Sequence, residues 1–269
     1  MRVIFGQWKY IIRNLWMVLP FAVVPAVFLS LSVDLVALKS VATSLFTGPF
    51  ELTFTQIFRA WSFLRTDSFV GILYSIFAFV CLVFFSAILL TFVEKHMRIG
   101  KRSLSGILSQ LETHIFAYIG FVLFLFTVYE LWALVLSALL YMVSTMASKT
   151  AARVLFALIS LLFIALLLYL VSIVYLWLPC RLHTGLKLHV AFLYSYNLMI
   201  GVRWQLYLSL AITYVVGFLV IFGCAFGPDW LFRILAILVF LCAYSSFCVR
   251  METLYFETDK IDREDLLRR

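Results

Sequence analysis

Charged residues are scarce in this chain. Asp, Glu, Lys and Arg make up 13% of its 269 residues, against about 25% in an ordinary soluble domain. Hydrophobic residues make up 65%, against about 45–50%. One soluble core of this size cannot hide so much apolar surface, so the composition excludes an ordinary water-soluble globular protein. It favours a chain with lipid as its solvent, and the 18% of aromatic residues suits lipid-facing and interfacial positions.

Motifs of catalysis and metal binding are also missing. The sequence contains no G-x-S-x-G, no H-E-x-x-H and no P-loop, and its five cysteines include no C-x-x-C pair. Cys180, His183 and His189 form C-x2-H-x5-H beside an apolar run, which is not the ligand order of a zinc finger. We therefore expect a non-enzymatic protein with no catalytic residues, no cofactor and no metal site.

The net charge of +8 raises the question of nucleic-acid binding. The basic residues, however, lie in short clusters between apolar runs and do not form a stripe with spaced stacking aromatics. We expect no nucleic-acid partner, and interpret the clusters as determinants of membrane topology.

Six apolar runs are long enough to cross a bilayer, which takes about 20 residues. Because backbone groups in lipid need partners within their own segment, these runs are predicted to be helices. The predicted fold is therefore an all-α polytopic membrane protein, with a membrane domain over residues 1–250 and a charged cytoplasmic tail over 251–269. The predicted spans are residues 16–37, 69–93, 115–143, 154–178, 205–224 and 230–249.

The orientation follows from the distribution of Lys and Arg between the two sides. Fifteen lie on the side that holds both termini and six on the other. Because cytoplasmic loops carry an excess of Lys and Arg, both termini are predicted to be cytoplasmic.

Amphipathic basic stretches precede the first, third and fifth spans, and predict cytoplasmic elbow helices. They could mark three parallel repeats of an elbow and a helical hairpin, or reflect only that cytoplasmic loops are basic and amphipathic. On the outer side, residues 54–65 have helical spacing, which fits either an interfacial helix or a cap over a cavity. The three basic stretches are FGQWKYIIRNLW, RIGKRSLSGILSQLETH and RLHTGLKLHVAFLYSYNLMIGVR.

Glu130 is the one charged residue within the third predicted span, near the midpoint of 115–143. A carboxylate at that depth costs several kcal/mol. Since no Lys, Arg or His lies centrally in another predicted span, we expect a neutral acid, hydroxyl partners or a hydrated cavity. The hydroxyls of Tyr169, Thr213 and Tyr214 are predicted at a similar depth. The site either conducts a proton, cation or polar substrate, or joins helices structurally.

Basic residues near the ends of spans are candidates for contact with anionic lipid headgroups. Lys95, Arg98, Lys101 and Arg102 form one cluster, and Arg203 lies among interfacial aromatics. The alternative is that the cluster only sets orientation and that the aromatic segment is an ordinary interfacial belt.

The order of these elements resembles small bacterial membrane families, the membrane domain associated with glycerophosphodiester phosphodiesterases among them. The resemblance covers the architecture of the whole chain and transfers no functional residues. It implies a non-catalytic domain of the bacterial cytoplasmic membrane. We expect a small transporter, a permease-like conduit or a lipid-handling protein. The alternative is an accessory or scaffolding subunit that binds another membrane protein, or a second copy of itself.

Overall fold

The computed structural model describes residues 2–46, 50–102 and 106–267. Within these ranges the chain is helical and has no strand, and six helices are long and apolar enough to cross a membrane. The prediction of an all-α polytopic membrane protein with six spans is confirmed. The helices are α1 (Arg2–Arg13), α2 (Leu15–Ser32), α3 (Leu35–Phe46), α4 (Phe54–Trp61), α5 (Phe69–Ile99), α6 (Ile107–Ser144), α7 (Lys149–Val174), α8 (Trp177–Thr184), α9 (Leu188–Leu198), α10 (Arg203–Cys224), α11 (Asp229–Thr258) and α12 (Glu264–Leu267).

The first span is shorter than predicted. The chain leaves α2 at Val33, which has extended backbone angles, and starts α3 two residues later. Oδ1 of Asp34 accepts a hydrogen bond from the backbone N–H of Ala37 (3.0 Å) and so caps α3. The predicted span 16–37 therefore includes most of α2 and also the first three residues of α3. Hydropathy does not separate them, because both sides of the break are apolar.

The second predicted elbow is not a separate helix. α5 ends at Gly100, which adopts φ 70°, and α6 then runs without a break from Ile107. Of the residues expected to form the elbow, 98–99 end α5 and 107–114 form the first turns of α6, while 103–105 lie outside the described residues. Of the other two basic stretches, the first forms most of α1 and the start of α2, and the third forms α9 and part of α8.

The spans pack into one bundle with distinct ends. We call the end that holds α1 and α12 the terminal face, and the end that holds α3 and α4 the loop face. In the bundle, α2 packs against α5 and α11, and α6 packs against α7. On the loop face, Phe50 and Ile57 are buried together with Leu136 of α6 and Phe156 of α7. The outer stretch at 54–65 thus contributes a helix that covers the ends of two spans.

The last helix extends well past its predicted end. α11 continues to Thr258, and every residue of 251–256 is buried. The first residues of the predicted charged tail, 251–256, are therefore part of α11 and of the buried core. The hydroxyl of Tyr194 on α9 donates to Asp259 (2.7 Å), and this bond raises the pKa of Tyr194 to about 12. Residues 268 and 269 of the predicted tail lie outside the described residues.

Candidate functional site

Glu130 holds the connection between α4 and α5. The hydroxyl of Ser62 donates to its Oε2 (2.6 Å), and the backbone N–H of Phe63 donates to its Oε1 (2.9 Å). The carbonyl of Phe63 accepts from the hydroxyl of Ser75 on α5 (2.9 Å). One residue of the connection is thereby bonded to two helices, and both carboxylate oxygens of Glu130 have a partner.

These bonds also give the depth of Glu130. Ser75 is the seventh residue of α5, so Glu130 lies near the loop-face end of that helix and not midway through the bundle. α6 is 38 residues long and continues past Glu130 to Ser144, where α4 packs against it. The prediction of a mid-membrane position is based on the apolar run 115–143, whereas α6 begins eight residues before that run, at Ile107.

The three hydroxyls predicted beside Glu130 have other contacts. Thr213 donates to the carbonyl of Ser209 (2.9 Å). Tyr169 packs edge-on against Tyr207, and Tyr214 packs against the main core of the bundle. The structure therefore does not bring the predicted polar site together, and the hydroxyl at Glu130 is that of Ser62.

A polar cavity of about 100 Å³ lies at the terminal face, between α5, α6, α8 and α11. It holds two carboxylates, two imidazoles and one guanidinium, a concentration of titratable groups that is unusual in a chain with so few charges. Its lining residues are Leu90, Thr91, Glu94, Arg98, His114, Tyr118, Leu182, His183 and Glu252.

The charged groups of this cavity form a hydrogen-bonded chain. Arg98 pairs with Glu94 one helical turn away (3.0 Å), and its Nη2 lies 3.3 Å from Nδ1 of His183. Nε2 of His183 lies 3.0 Å from Oε2 of Glu252. Because a guanidinium only donates and a carboxylate accepts, we assign Nδ1 as the acceptor and Nε2–H as the donor. The ring of His183 is held further by stacking on Tyr255 at 4.6 Å.

Among these hydrogen-bonded groups, Glu252 differs from the others in its burial. Its side chain is 1% exposed, and its Oε1 is buried with no hydrogen-bond partner. Buried polar atoms nearly always have a partner, and a carboxylate oxygen without one is costly. Oε1 therefore has an unused capacity to accept a hydrogen bond from an N–H or O–H donor.

The length of α5 allows the depth of the cavity to be compared with the thickness of a bilayer. Along α5, Glu94 follows Phe69 by 25 residues, about 37 Å of helix, or about 35 Å at the average tilt of membrane helices. The hydrocarbon core of a bilayer is about 30 Å thick. If Phe69 stands at one edge of the core, Glu94 lies about 5 Å beyond the other edge.

An apolar cavity, also of about 100 Å³, lies between α6 and α8, and its lining residues are near those of the polar cavity in the sequence. Phe116, Gly120 and Phe121 of α6 face Trp177 and Leu178 of α8 across it. A Cβ at Gly120 would meet no atom within 4 Å, which shows how open this wall of the cavity is. A polar and an apolar cavity thus lie next to each other between the same pair of helices.

The five basic residues predicted to contact lipid all lie at the terminal face. Arg98 lines the polar cavity, whereas Lys101 and Arg102 are exposed beyond the end of α5. The guanidinium of Arg203, at the start of α10, lies 4.4 Å from the ring centre of Tyr196. The structure brings one of the five to the cavity and places Arg203 on a different helix.

The residues described contain no group of three His, Cys, Asp or Glu side chains arranged to hold a metal ion. No family model, curated protein or solved structure matches the chain. What the cavity can bind is therefore inferred from its own chemistry.

Proposed function

We propose that this chain is a non-enzymatic, lipid-handling membrane protein that binds a zwitterionic headgroup bearing N–H donors. The observation that carries the proposal is the polar cavity, which is lined by Glu252, a carboxylate whose buried Oε1 has no hydrogen-bond partner. An ammonium group satisfies that oxygen with a charge-assisted hydrogen bond. Arg98, whose side chain is 50% exposed, is then positioned to meet the phosphate of the same headgroup.

The dimensions support the terminal part of a headgroup as the occupant. The cavity has a volume of about 100 Å³, which is room for a small polar group and not for a whole lipid. It admits an ammonium-ethyl group, while the phosphate stays at the Arg98 side and an acyl chain lies along the adjacent apolar cavity. The ligand class is thus an aminophospholipid.

We predict that Glu252→Gln weakens binding of an aminophospholipid about tenfold or more, since it removes a charge-assisted hydrogen bond to the ammonium group. The measurement is native mass spectrometry of the purified protein with equal amounts of phosphatidylethanolamine, phosphatidylcholine and phosphatidylglycerol. Wild-type protein should retain them in that order, because the trimethylated headgroup has no N–H and the glycerol headgroup no cation.

Glu257→Gln is the matched control for this experiment. It makes the same change five residues further along α11, at an exposed position, and should leave the lipid order unchanged. Equal retention of the three lipids by wild-type protein, or an unchanged order in Glu252→Gln, would contradict the proposal.

The proposed leaflet follows from the predicted orientation, in which the terminal face is cytoplasmic. With the five native cysteines replaced by alanine, Ala147→Cys on the loop face should react with an impermeant maleimide added to sealed cells. Leu266→Cys on α12 is also exposed but should react only after the cells are permeabilised. Labelling of Leu266→Cys in sealed cells would place the cavity in the outer leaflet.

The two other functions expected from the sequence have less support. A conduit centred on Glu130 needs a carboxylate that is accessible to its substrate, but both of its oxygens bond to the α4–α5 connection. A scaffolding subunit predicts a second protein that stays bound through purification in mild detergent. Isolation of the chain with lipid alone favours the proposed function over that alternative.

A further inference from the structure

The imidazole of His183 lies between two carboxylates on the wall of the polar cavity. Its Nε2 is 3.0 Å from Oε2 of Glu252, and its Nδ1 is 3.8 Å from Oε1 of Glu94. The side chain is 7% exposed, and it lines the cavity together with both carboxylates. Because histidine changes its charge between about pH 5 and pH 8, the net charge of this cavity depends on pH in that range.

The hydrogen bonds of the ring indicate where a proton is added. Nε2–H already donates to Glu252, so the free lone pair is that of Nδ1, which accepts from Nη2 of Arg98 at 3.3 Å. In an imidazolium Nδ1 becomes a donor, and two donors at this distance repel each other. Protonation therefore breaks the contact with Arg98 and leaves Nδ1–H beside Glu94.

The charge balance of the cavity gives the direction of the effect on a ligand. With neutral His183, the two negative charges of Glu94 and Glu252 face the one positive charge of Arg98, and an ammonium group neutralises the sum. With protonated His183 the cavity is neutral before any ligand arrives. An ammonium group then adds a positive charge close to another one, which is unfavourable away from bulk water.

Other titratable groups also surround this ring. α6 contributes two groups to the lining of the cavity, α11 contributes a tyrosine that stacks on the ring, and α9, which packs against α8, has a tyrosine bonded to an aspartate. These residues are His114, Tyr118, Tyr255, Tyr194 and Asp259. Among these five, the imidazole of His114 is the group that changes charge between about pH 5 and pH 8. The experiment must therefore separate His183 from His114.

We propose that a proton on Nδ1 of His183 and the ammonium group of a headgroup compete for the same two carboxylates, so that acidification releases an aminophospholipid from the polar cavity. This inference rests on the proposed function and adds a regulation to it. The release needs no change of fold, because the competing charges meet within one cavity.

The test is the pH dependence of headgroup binding by the purified full-length protein. Calorimetric titration with short-chain phosphatidylethanolamine should give an affinity about tenfold lower at about pH 5.5 than at about pH 8. The ammonium and phosphate groups of this lipid keep their charges over that range, so the change belongs to the protein. Binding of short-chain phosphatidylglycerol, which has no cation, should not weaken on acidification.

His183→Gln is the informative variant. Its amide NH2 can donate to Glu252 and its amide oxygen can accept from Arg98, as the neutral imidazole does, but the amide takes up no proton. The variant should bind phosphatidylethanolamine at both pH values as the wild type does at about pH 8. His189→Gln, which removes an exposed imidazole on α9, should keep the pH dependence of the wild type.

A second measurement uses the wild-type protein and needs no variant to fold. By linkage, a ligand that competes with a proton lowers the pH at which the ring takes up that proton. In NMR spectra of the protein with labelled histidine, saturating phosphatidylethanolamine should lower the titration midpoint of one of the four imidazoles by about one pH unit, which corresponds to tenfold.

The outcomes separate this inference from the proposed function. Equal affinity for phosphatidylethanolamine at both pH values, with a preference over phosphatidylglycerol retained, overturns the regulation and leaves the proposed function intact. Absence of that preference at about pH 8 contradicts the proposed function and, with it, this inference. A pH dependence that persists in His183→Gln also overturns the regulation, and its loss in His114→Gln would assign the proton to the other imidazole.

Discussion

Arg59→Met should destabilise the protein by about 3 kcal/mol, because it leaves a buried carboxylate without its cation. Asp34, between α2 and α3, has a side chain that is 2% exposed, and its Oδ2 lies 2.5 Å from Nη2 and 2.7 Å from Nε of Arg59 on α4. The second oxygen of Asp34 caps α3. The pair therefore joins the two helices of the loop face to the end of the first span.

The loss should appear as a lower midpoint of unfolding and as faster hydrogen exchange in α3 and α4. Adding Asp34→Asn should recover part of it, since the double variant no longer buries an uncompensated charge. Lys39→Met is the control, because Lys39 pairs with Asp229, whose side chain is 77% exposed, and such pairs contribute little. A fully stable Arg59→Met would show that Asp34 is not held by this ion pair.

The same region shows how far hydropathy determines this fold. The number and order of the six spans follow from the length of the apolar runs, because a membrane helix needs about 20 such residues whatever it packs against. The break at Val33 does not follow, since apolar residues continue on both sides. Asp34 is a charge near the end of the first apolar run, and its cap of α3 is local. Its ion pair depends on α4, which begins 20 residues later in the chain.

The sequence does not predict the polar cavity either, because its lining residues come from distant parts of the chain. The sequence places Arg98 in a basic cluster next to a span, and Glu252 in the segment 251–269 that is predicted to be a charged tail. Yet Met251, Leu254 and Tyr255 recur at helical spacing in that segment, which is the signal of a buried helix face. That pattern predicts continuation of α11. It does not predict the partner His183, which α8 supplies from a distant part of the sequence.

Glu130→Ala should lower the stability of the protein by about 3 kcal/mol, because it leaves the hydroxyl of Ser62 and the backbone N–H of Phe63 without their acceptors in a partly buried place. Glu130→Gln should cost about 1 kcal/mol or less. Its amide oxygen can still accept from Phe63, and its NH2 can donate to Ser62, whose own proton then turns to the carbonyl of Leu64 at 3.4 Å.

Unfolding of both variants, with hydrogen exchange at residues 62–64, measures this difference, and Glu112→Ala at an exposed position of α6 is the control. A large loss of stability in Glu130→Ala and a small loss in Glu130→Gln would indicate that residue 130 stabilises the protein through its hydrogen bonds and not through its charge. A conduit gives the opposite pattern, in which both variants fold as well as the wild type and the neutral amide abolishes transport. Equal stability of Glu130→Ala and wild-type protein would therefore contradict the structural role of Glu130, and loss of transport in Glu130→Gln would then support a conduit.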